Sequence, residues 1–158
     1  GGSILDPDRV APCHRAWADD RSTVHVVDAL GEPVRSLDVP RRTQVEYALF
    51  LPGGRIACVS VDEGLTLLES DGRVAWHLDV ECHHDVAGLP DGRPPGERTF
   101  ALATHAERAW RGRRVRFDSV LFVEERTGRP ASSMAAWHTF EARVDLLERS
   151  GRAHPPDG

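Results

Sequence analysis

The sequence contains no lysine and no asparagine, so all twenty of its basic side chains other than histidine are arginines. Schiff-base chemistry and the phosphate-binding loop of nucleotide-hydrolysing proteins both require lysine, and both are therefore excluded. No apolar run approaches the roughly 20 residues that a membrane-spanning helix needs. The first residues also lack a signal-like apolar stretch, so a targeting segment is expected to be absent or already removed. Together these absences favour a globular domain without a membrane partner.

The chain also has few cysteines, and its net charge is negative. The three cysteines, Cys13, Cys58 and Cys82, include no Cys-x-x-Cys pair. One disulfide with a free thiol and three buried thiols both remain open. The formal net charge of −5 argues against a nucleic-acid partner, because binding to phosphates needs a clustered positive surface.

A repeated phrase dominates what the sequence does contain. An apolar strand-like run, a turn ending in glycine and a second strand-like run occur three times, and another hairpin phrase interleaves with them. The turns "LPGG" and "LPDG" start 38 residues apart. A period of about forty residues with four short strands per unit is typical of propeller blades. The three phrases are Val24–Val39, Leu65–Val80 and Val120–Trp137, and the interleaved ones are Tyr47–Val61 and His84–Thr104.

These repeats predict an all-β fold, a partial β-propeller of four-stranded antiparallel blades with a short C-terminal helix. Helical spacing after residue 133 predicts that helix, with Ser132 or Ser133 as its N-cap. So few blades cannot close a ring, so self-association or further C-terminal blades are expected. The predicted organisation is a lead-in (1–22), blades (23–132; incomplete 23–39, complete 46–80, extended 83–130), a helix (133–150) and a tail (151–158).

The segment "ECHHDV" (Glu81–Val86) is the densest cluster of reactive side chains. Strand alternation would place Cys82 and His84 on one face and His83 and Asp85 on the other. Because the first strand of a blade lines the central channel, His84 and His83 are the candidate catalytic residues, oriented by Asp85 or Glu81. A hydrogen-bonded polar patch without a function remains the alternative. We expect no metal site and no cofactor, although Cys82 and His84 with a distant third ligand stay a weaker alternative.

A second group of candidates lies in the long insertion "HAERAWRGRRVRF" (His105–Phe117). His105 is placed to reach the channel rim, and guanidinium groups suit sulfate, phosphate or carboxylate. His105, Arg108 and Arg111 are therefore candidate substrate-binding residues. A solvated hairpin extension is the alternative, since charge runs usually face water. The run also contains Arg113, Arg114 and Arg116, with Trp110 and Phe117 between the arginines.

The stretch from "LLESDG" to "LPDGR" resembles the bacterial arylsulfotransferase-type β-propeller family. That family carries the order D-x-x-G-x-V-x-W, a spacer, H-H-D and then L-P-D/N-G. The resemblance covers about Thr23 to Arg129. The matching residues are Asp71, Gly72, Val74, Trp76, His83, His84, Asp85, Leu89, Pro90, Asp91 and Gly92.

The resemblance implies a six-bladed propeller that moves a sulfuryl group from a phenolic ester to another phenol, without a nucleotide donor, through a channel histidine. The expected partners are thus a small aryl sulfate and a phenol. In the family, later blades supply further channel residues, including the nucleophile. His84 and His83 of this chain match only the first histidine position, so activity is expected of an assembled or full-length form. The family is commonly exported, which implies a periplasmic or extracellular location, with a cytoplasmic one left open. A non-catalytic module that binds an anionic ligand or a protein partner is the alternative function.

Overall fold

The computed structural model describes residues 15–18, 23–40, 44–89, 92–110, 112–137 and 141, and these contain eleven β-strands in three antiparallel sheets. Blade one consists of β1–β3, blade two of β4–β7 and blade three of β8–β11. The strands are β1 (Arg15–Ala18), β2 (Thr23–Val27), β3 (Pro33–Asp38), β4 (Val45–Phe50), β5 (Ile56–Ser60), β6 (Gly64–Leu68), β7 (Val74–Leu78), β8 (Cys82–Gly88), β9 (Thr99–Trp110), β10 (Arg113–Glu124) and β11 (Pro130–Ala135), with a 3₁₀ turn at Pro52–Gly54.

The arrangement of the sheets is that of neighbouring propeller blades. Within each blade every strand pairs with the next one along the chain, and the first strands β1, β4 and β8 contact one another in that order. Sheets that meet along their first strands around a common axis are the defining feature of a propeller. The chain is therefore an all-β partial propeller, as its repeats predicted, and its described sheets do not close a ring.

Two boundaries differ from the prediction. Arg15–Ala18, placed in the lead-in, forms β1 and pairs with β2 through the register Ala18↔Val24. Ser132 and Ser133 lie inside β11, opposite Phe122 and Leu121, and neither caps a helix. Met134 and Ala135 also belong to β11, and residues 138–140 and 142–150 of the predicted helix lie outside the described residues.

The middle blade is buried on both faces, which explains the continuous apolar runs of β5 and β6. Alternate residues point to opposite sides of a strand. Ile56, Cys58 and Leu68 accordingly pack with blade one. The alternate residues Ala57, Val59, Leu65 and Leu67 pack with blade three. The apolar cluster between blades two and three consists of Leu51, Ala57, Val59, Leu65, Leu67, Cys82, Val86, Phe100, Leu102 and Val123.

Glu125, at the turn between β10 and β11, is a buried carboxylate at the junction of blades two and three, 1% exposed. It pairs with Arg55 of blade two and accepts hydrogen bonds from the backbone N–H groups of Gly96 at 3.0 Å and Arg98 at 3.2 Å. Its own carbonyl accepts the indole N–H of Trp76 at 2.9 Å. Arg55 and Trp76 of blade two thus bind a residue that Gly96 and Arg98 hold in place within blade three.

Gly128 allows the same turn to approach blade two closely. Its φ is +69°, and a Cβ atom there would lie 2.6 Å from the Trp76 ring. An L-residue would meet both the backbone strain of positive φ and this overlap. The glycine of "RTG" therefore serves the contact with Trp76 as well as the turn.

We predict that Glu125→Gln lowers the free energy of unfolding by about 3 kcal/mol, because it leaves the largely buried Arg55 guanidinium without its counter-charge. Urea unfolding of the wild type and the variant measures the difference. Glu32→Gln is the matched control, since Glu32 is exposed in blade one. Equal destabilisation by the two substitutions would contradict this role of Glu125.

Candidate functional site

The candidate site lies at the start of β8, where the strand departs from regular pairing. Cys82 pairs with Thr104 and Val86 with Leu102, so three residues of β8 stand opposite Ala103 alone. This is a β-bulge, a feature that redirects side chains and occurs often beside active sites. Within it His84 has a φ of +61°, a left-handed conformation that is uncommon for residues other than glycine.

The bulge overturns the predicted division of the histidines between two faces. The rings of His83 and His84 meet edge to face with their centroids 4.6 Å apart. Cys82 turns inwards instead, where its Sγ donates to the carbonyl of Ser60 at 3.4 Å, while the side chain of His84 is 73% exposed. Alternation fails here because it assumes extended backbone at every residue.

The buried position of Cys82 also bears on the metal alternative that paired it with His84. Burial raises the pKa of the Cys82 thiol to about 11, which favours the protonated form. Metal ions bind the thiolate. Cys58 and Cys82 are both buried free thiols, and Cys13 lies outside the described residues.

Glu46 of blade two holds the exposed His84. It occupies a bulge in β4 between Val45 and Tyr47, and its carboxylate accepts from the backbone N–H of His84 at 2.8 Å and lies 2.9 Å from Nδ1 of the ring. A carboxylate only accepts hydrogen bonds, so the neutral ring carries its proton on Nδ1 and leaves the lone pair on Nε2. Glu46 thus takes the orienting role expected of Asp85 or Glu81.

The same contacts lower the pKa of the Glu46 carboxyl below its usual value. The main cause is the hydrogen bond from the backbone N–H of His84, and the hydrogen bond and charge of the ring act in the same direction. Burial acts against them. Glu46 is therefore held ionised beside the imidazole at neutral pH.

A second histidine pair lies next to this dyad. The rings of His83 and His105 stack with their centroids 3.9 Å apart and their planes 16° apart. Asp118, the cross-strand partner of His105, places its Oδ1 3.6 Å from Nε2 of His83 and 3.6 Å from Nδ1 of His105. Both separations are too long for a hydrogen bond. Both nitrogens of His83 and Nδ1 of His105 are buried without a hydrogen-bond partner.

The environment of His105 favours the neutral ring. Desolvation is the largest cause of its lowered pKa, and the charges of His83 and Arg116 act in the same direction. Asp118 and Asp62 oppose the shift without reversing it. His83, His105 and Asp118 bring three ligand-type atoms within 4.8 Å of one another, so they are the described residues best placed to hold a metal ion.

A cavity of about 410 Å³ opens beside this cluster. His83 and Asp118 line its polar end, and Ala103 and Val120 line its apolar part. Ala103 alternates along β9 with the buried Leu102, so the cavity lies on the side of blade three turned away from blade two. The side chain of Asp118 is 80% exposed, which leaves the cluster open to solvent on that side.

His105 and Arg108, two of the predicted substrate-binding residues, lie on different faces of β9. The β9–β10 pairing is regular from His105 to Arg108, and residues three apart in a strand point to opposite faces. The Arg108 guanidinium lies 5.9 Å from the ring centroid of Trp137. Arg111 lies outside the described residues. His105 and Arg108 therefore point to opposite faces of β9, and the substrate-binding role of these residues stays a prediction.

Two other arginines of the long hairpin are engaged by acidic groups. Arg114 pairs with Glu107, and Arg116 lies 3.4 Å from a carboxylate oxygen of Glu81. Arg116 also lies 3.9 Å from Asp62. The insertion lengthens the second hairpin of blade three as predicted, and β9 and β10 contain twelve residues each.

Sequence reasoning missed Glu46 and Asp118. Asp118 could have been predicted, because a tight turn after Trp110 places it directly across from His105. Glu46 had no local signal, since it lies 38 residues before His84 in the chain. Only the contact between the first strands of blades two and three brings it there.

The comparison with solved structures supports the fold. A protein of unknown function from Bacteroides caccae, with a crystal structure at 1.35 Å, is similar at a TM-score of 0.51 and 15% sequence identity. The match covers 79% of this chain and 41% of that one, so this chain spans less than half of the other protein's length. At this identity the likeness shows the fold alone. No family model and no curated protein matches the chain.

The described part of the chain contains no helix that is long and apolar enough to cross a membrane.

We predict that the contribution of Glu46 to stability depends on pH. Its pKa in the folded protein lies below the ordinary 4.5, so its stabilisation is fully present above pH 4.5 and is lost as the pH falls through the folded value. Glu46→Gln should therefore cost about 1 kcal/mol at pH 7, the scale of a solvent-screened, charge-assisted hydrogen bond, and progressively less in acid.

Urea unfolding at a series of pH values between neutral and acid measures this difference. Glu32→Gln reports the effect of removing an exposed carboxylate outside the site. A difference between wild type and Glu46→Gln that stays constant into acid would show that the His84 contact does not depend on the ionised carboxylate.

Proposed function

We propose that the chain belongs to a sulfuryl-transfer propeller in which His84 contacts the sulfuryl group of an aryl sulfate. The observation that carries the proposal is the dyad of Glu46 and His84. It presents an exposed imidazole from the first strand of blade three, with its Nδ1 held by a carboxylate of the neighbouring blade. The sequence order around His84, which resembles the arylsulfotransferase-type family, supplies the substrate class.

The chemistry follows from the tautomer that Glu46 favours. With the proton on Nδ1, the lone pair of Nε2 is free to attack sulfur or to take a proton from a phenol. In the first role an N–S bond forms as the S–O bond to the aryl group breaks, and the phenolate leaves with the electron pair. An acceptor phenol then attacks the sulfur, loses its proton and releases the ring.

The Glu46 carboxylate has a defined part in this cycle. A ring that bonds to sulfur through Nε2 while it keeps its Nδ1 proton becomes positively charged. A carboxylate 2.9 Å from Nδ1 stabilises that charge, as the acidic member of a catalytic triad does for its histidine. Glu46 thus acts as a positioning residue and an electrostatic partner.

The alternative of an anion-binding module draws less support from the long hairpin. Arg114 and Arg116 already face carboxylates, and Arg108 lies over Trp137. Those charges are partly neutralised before an anionic ligand arrives. The sulfuryl-transfer proposal depends on none of these arginines.

We predict that the full chain releases nitrophenol from p-nitrophenyl sulfate when phenol is supplied as acceptor, and that His84→Ala lowers this turnover by at least about 100-fold. His25→Ala is the matched control, because His25 lies in blade one and contacts Ser36. Native mass spectrometry of the same sample reports whether the active species is a monomer or an assembly.

Rapid quenching with the donor alone then separates the two roles of the ring. A gain of one SO₃ group on the peptide that contains His84 would identify the ring as the nucleophile, and an active protein without that adduct would identify it as the base. Turnover that is the same in His84→Ala and wild type would overturn the proposal. So would the absence of phenol-dependent turnover by the folded wild type.

A further inference from the structure

The cluster of His83, His105 and Asp118 is chemically distinct from the Glu46–His84 dyad. Its two rings stack on each other, and both nitrogens of His83 and Nδ1 of His105 are buried without a hydrogen-bond partner. His84, although its ring touches His83, is turned to solvent and held by Glu46. The cluster therefore calls for its own explanation.

The buried ring nitrogens are the first observation that points to a ligand. A buried polar atom without a partner costs on the order of 1–3 kcal/mol, and native proteins rarely leave one unsatisfied. Here three such nitrogens occur on two adjacent rings. A bound cation that accepts one lone pair from each ring would satisfy two of these three nitrogens.

The distances are the second observation. Oδ1 of Asp118 lies 3.6 Å from Nε2 of His83 and 3.6 Å from Nδ1 of His105. Zinc bonds to imidazole nitrogen and carboxylate oxygen of about 2.0–2.2 Å in a tetrahedron separate neighbouring ligand atoms by about 3.3–3.5 Å. Asp118 thus lies within a few tenths of an ångström of the spacing that a shared ion would impose on it and each histidine, and all three ligand atoms lie within 4.8 Å of one another. On binding, the stacked rings would turn so that both lone pairs point at the ion.

The donor set and its surroundings are the third observation. Two imidazoles and one carboxylate suit divalent first-row transition metals, and three protein ligands with one open position are typical of reactive sites. Asp118 is 80% exposed and lines the cavity of about 410 Å³, so the open position would face a space that admits water or a small anion.

We infer that His83, His105 and Asp118 form a binding site for a divalent transition-metal ion such as Zn²⁺, with its fourth position open to the cavity. Two strands of one hairpin supply His105 and Asp118, and the bulge of β8 supplies His83. The site is independent of the sulfuryl-transfer proposal, because neither Glu46 nor His84 is among its ligands.

Calorimetric titration of the chelator-treated full chain with Zn²⁺ tests the inference. We expect one ion per chain in the wild type and in the control His25→Ala. His105→Ala and Asp118→Asn should each weaken Zn²⁺ binding by at least about 100-fold. Loss of a residue that only hydrogen-bonds to a metal ligand already costs about 10–100-fold. Because Asp118 is exposed, Asp118→Asn should fold normally, and circular dichroism verifies this.

Substitution with Co²⁺ gives a readout that does not depend on affinity. The wild type and His25→Ala should show the intense visible absorption of four-coordinate Co²⁺, and Asp118→Asn should lose or shift it. Zn²⁺ binding of equal strength in wild type, His105→Ala and Asp118→Asn would overturn the inference. Failure of the wild type to bind either ion would overturn it as well.

Discussion

The burial of Glu125 between blades two and three is the constraint on which the candidate site depends. A carboxylate removed from water is stable only with a cation and hydrogen-bond donors around it, and here they come from both blades. Together with the apolar cluster beside it, this pairing fixes how the two sheets meet. The same interface brings the first strand of blade two against that of blade three, which places Glu46 within reach of His84.

Most of the fold could be predicted because its signals are local. Glycine-bearing turns and apolar runs at a period of about forty residues are features of single hairpins, which need no knowledge of distant contacts. The strand that escaped prediction, β1, and the strand whose end was misplaced, β11, lie at the ends of the described region. The sequence of β11, "PASSMA", is small and mostly exposed, so only its pairing with β10 makes it a strand. Because the residues after β11 have helical spacing, the predicted helix begins at residue 133, inside the strand.

The site was only partly predictable, for a different reason. Its histidines stood out by composition, and the pairing of His105 with Asp118 follows from the turn of their hairpin. The bulges at Glu46 and at residues 83–85 could not be predicted, because an extra residue in one strand leaves no period in the sequence. One residue in left-handed conformation was enough to move His84 from the face of Cys82 to the side of His83.

The strained backbone of His84 and the position of Glu46 depend on each other. A left-handed residue other than glycine costs on the order of 1–3 kcal/mol and persists only where its surroundings compensate. The two hydrogen bonds that the Glu46 carboxylate accepts from His84, screened by water to about 1 kcal/mol, offset part of that cost. Without the contact between blades, β8 would relax towards regular alternation, and the His84 dyad and the position of His83 beside His105 would be lost together. The geometry of both proposed chemistries is thus a property of the interface between blades two and three.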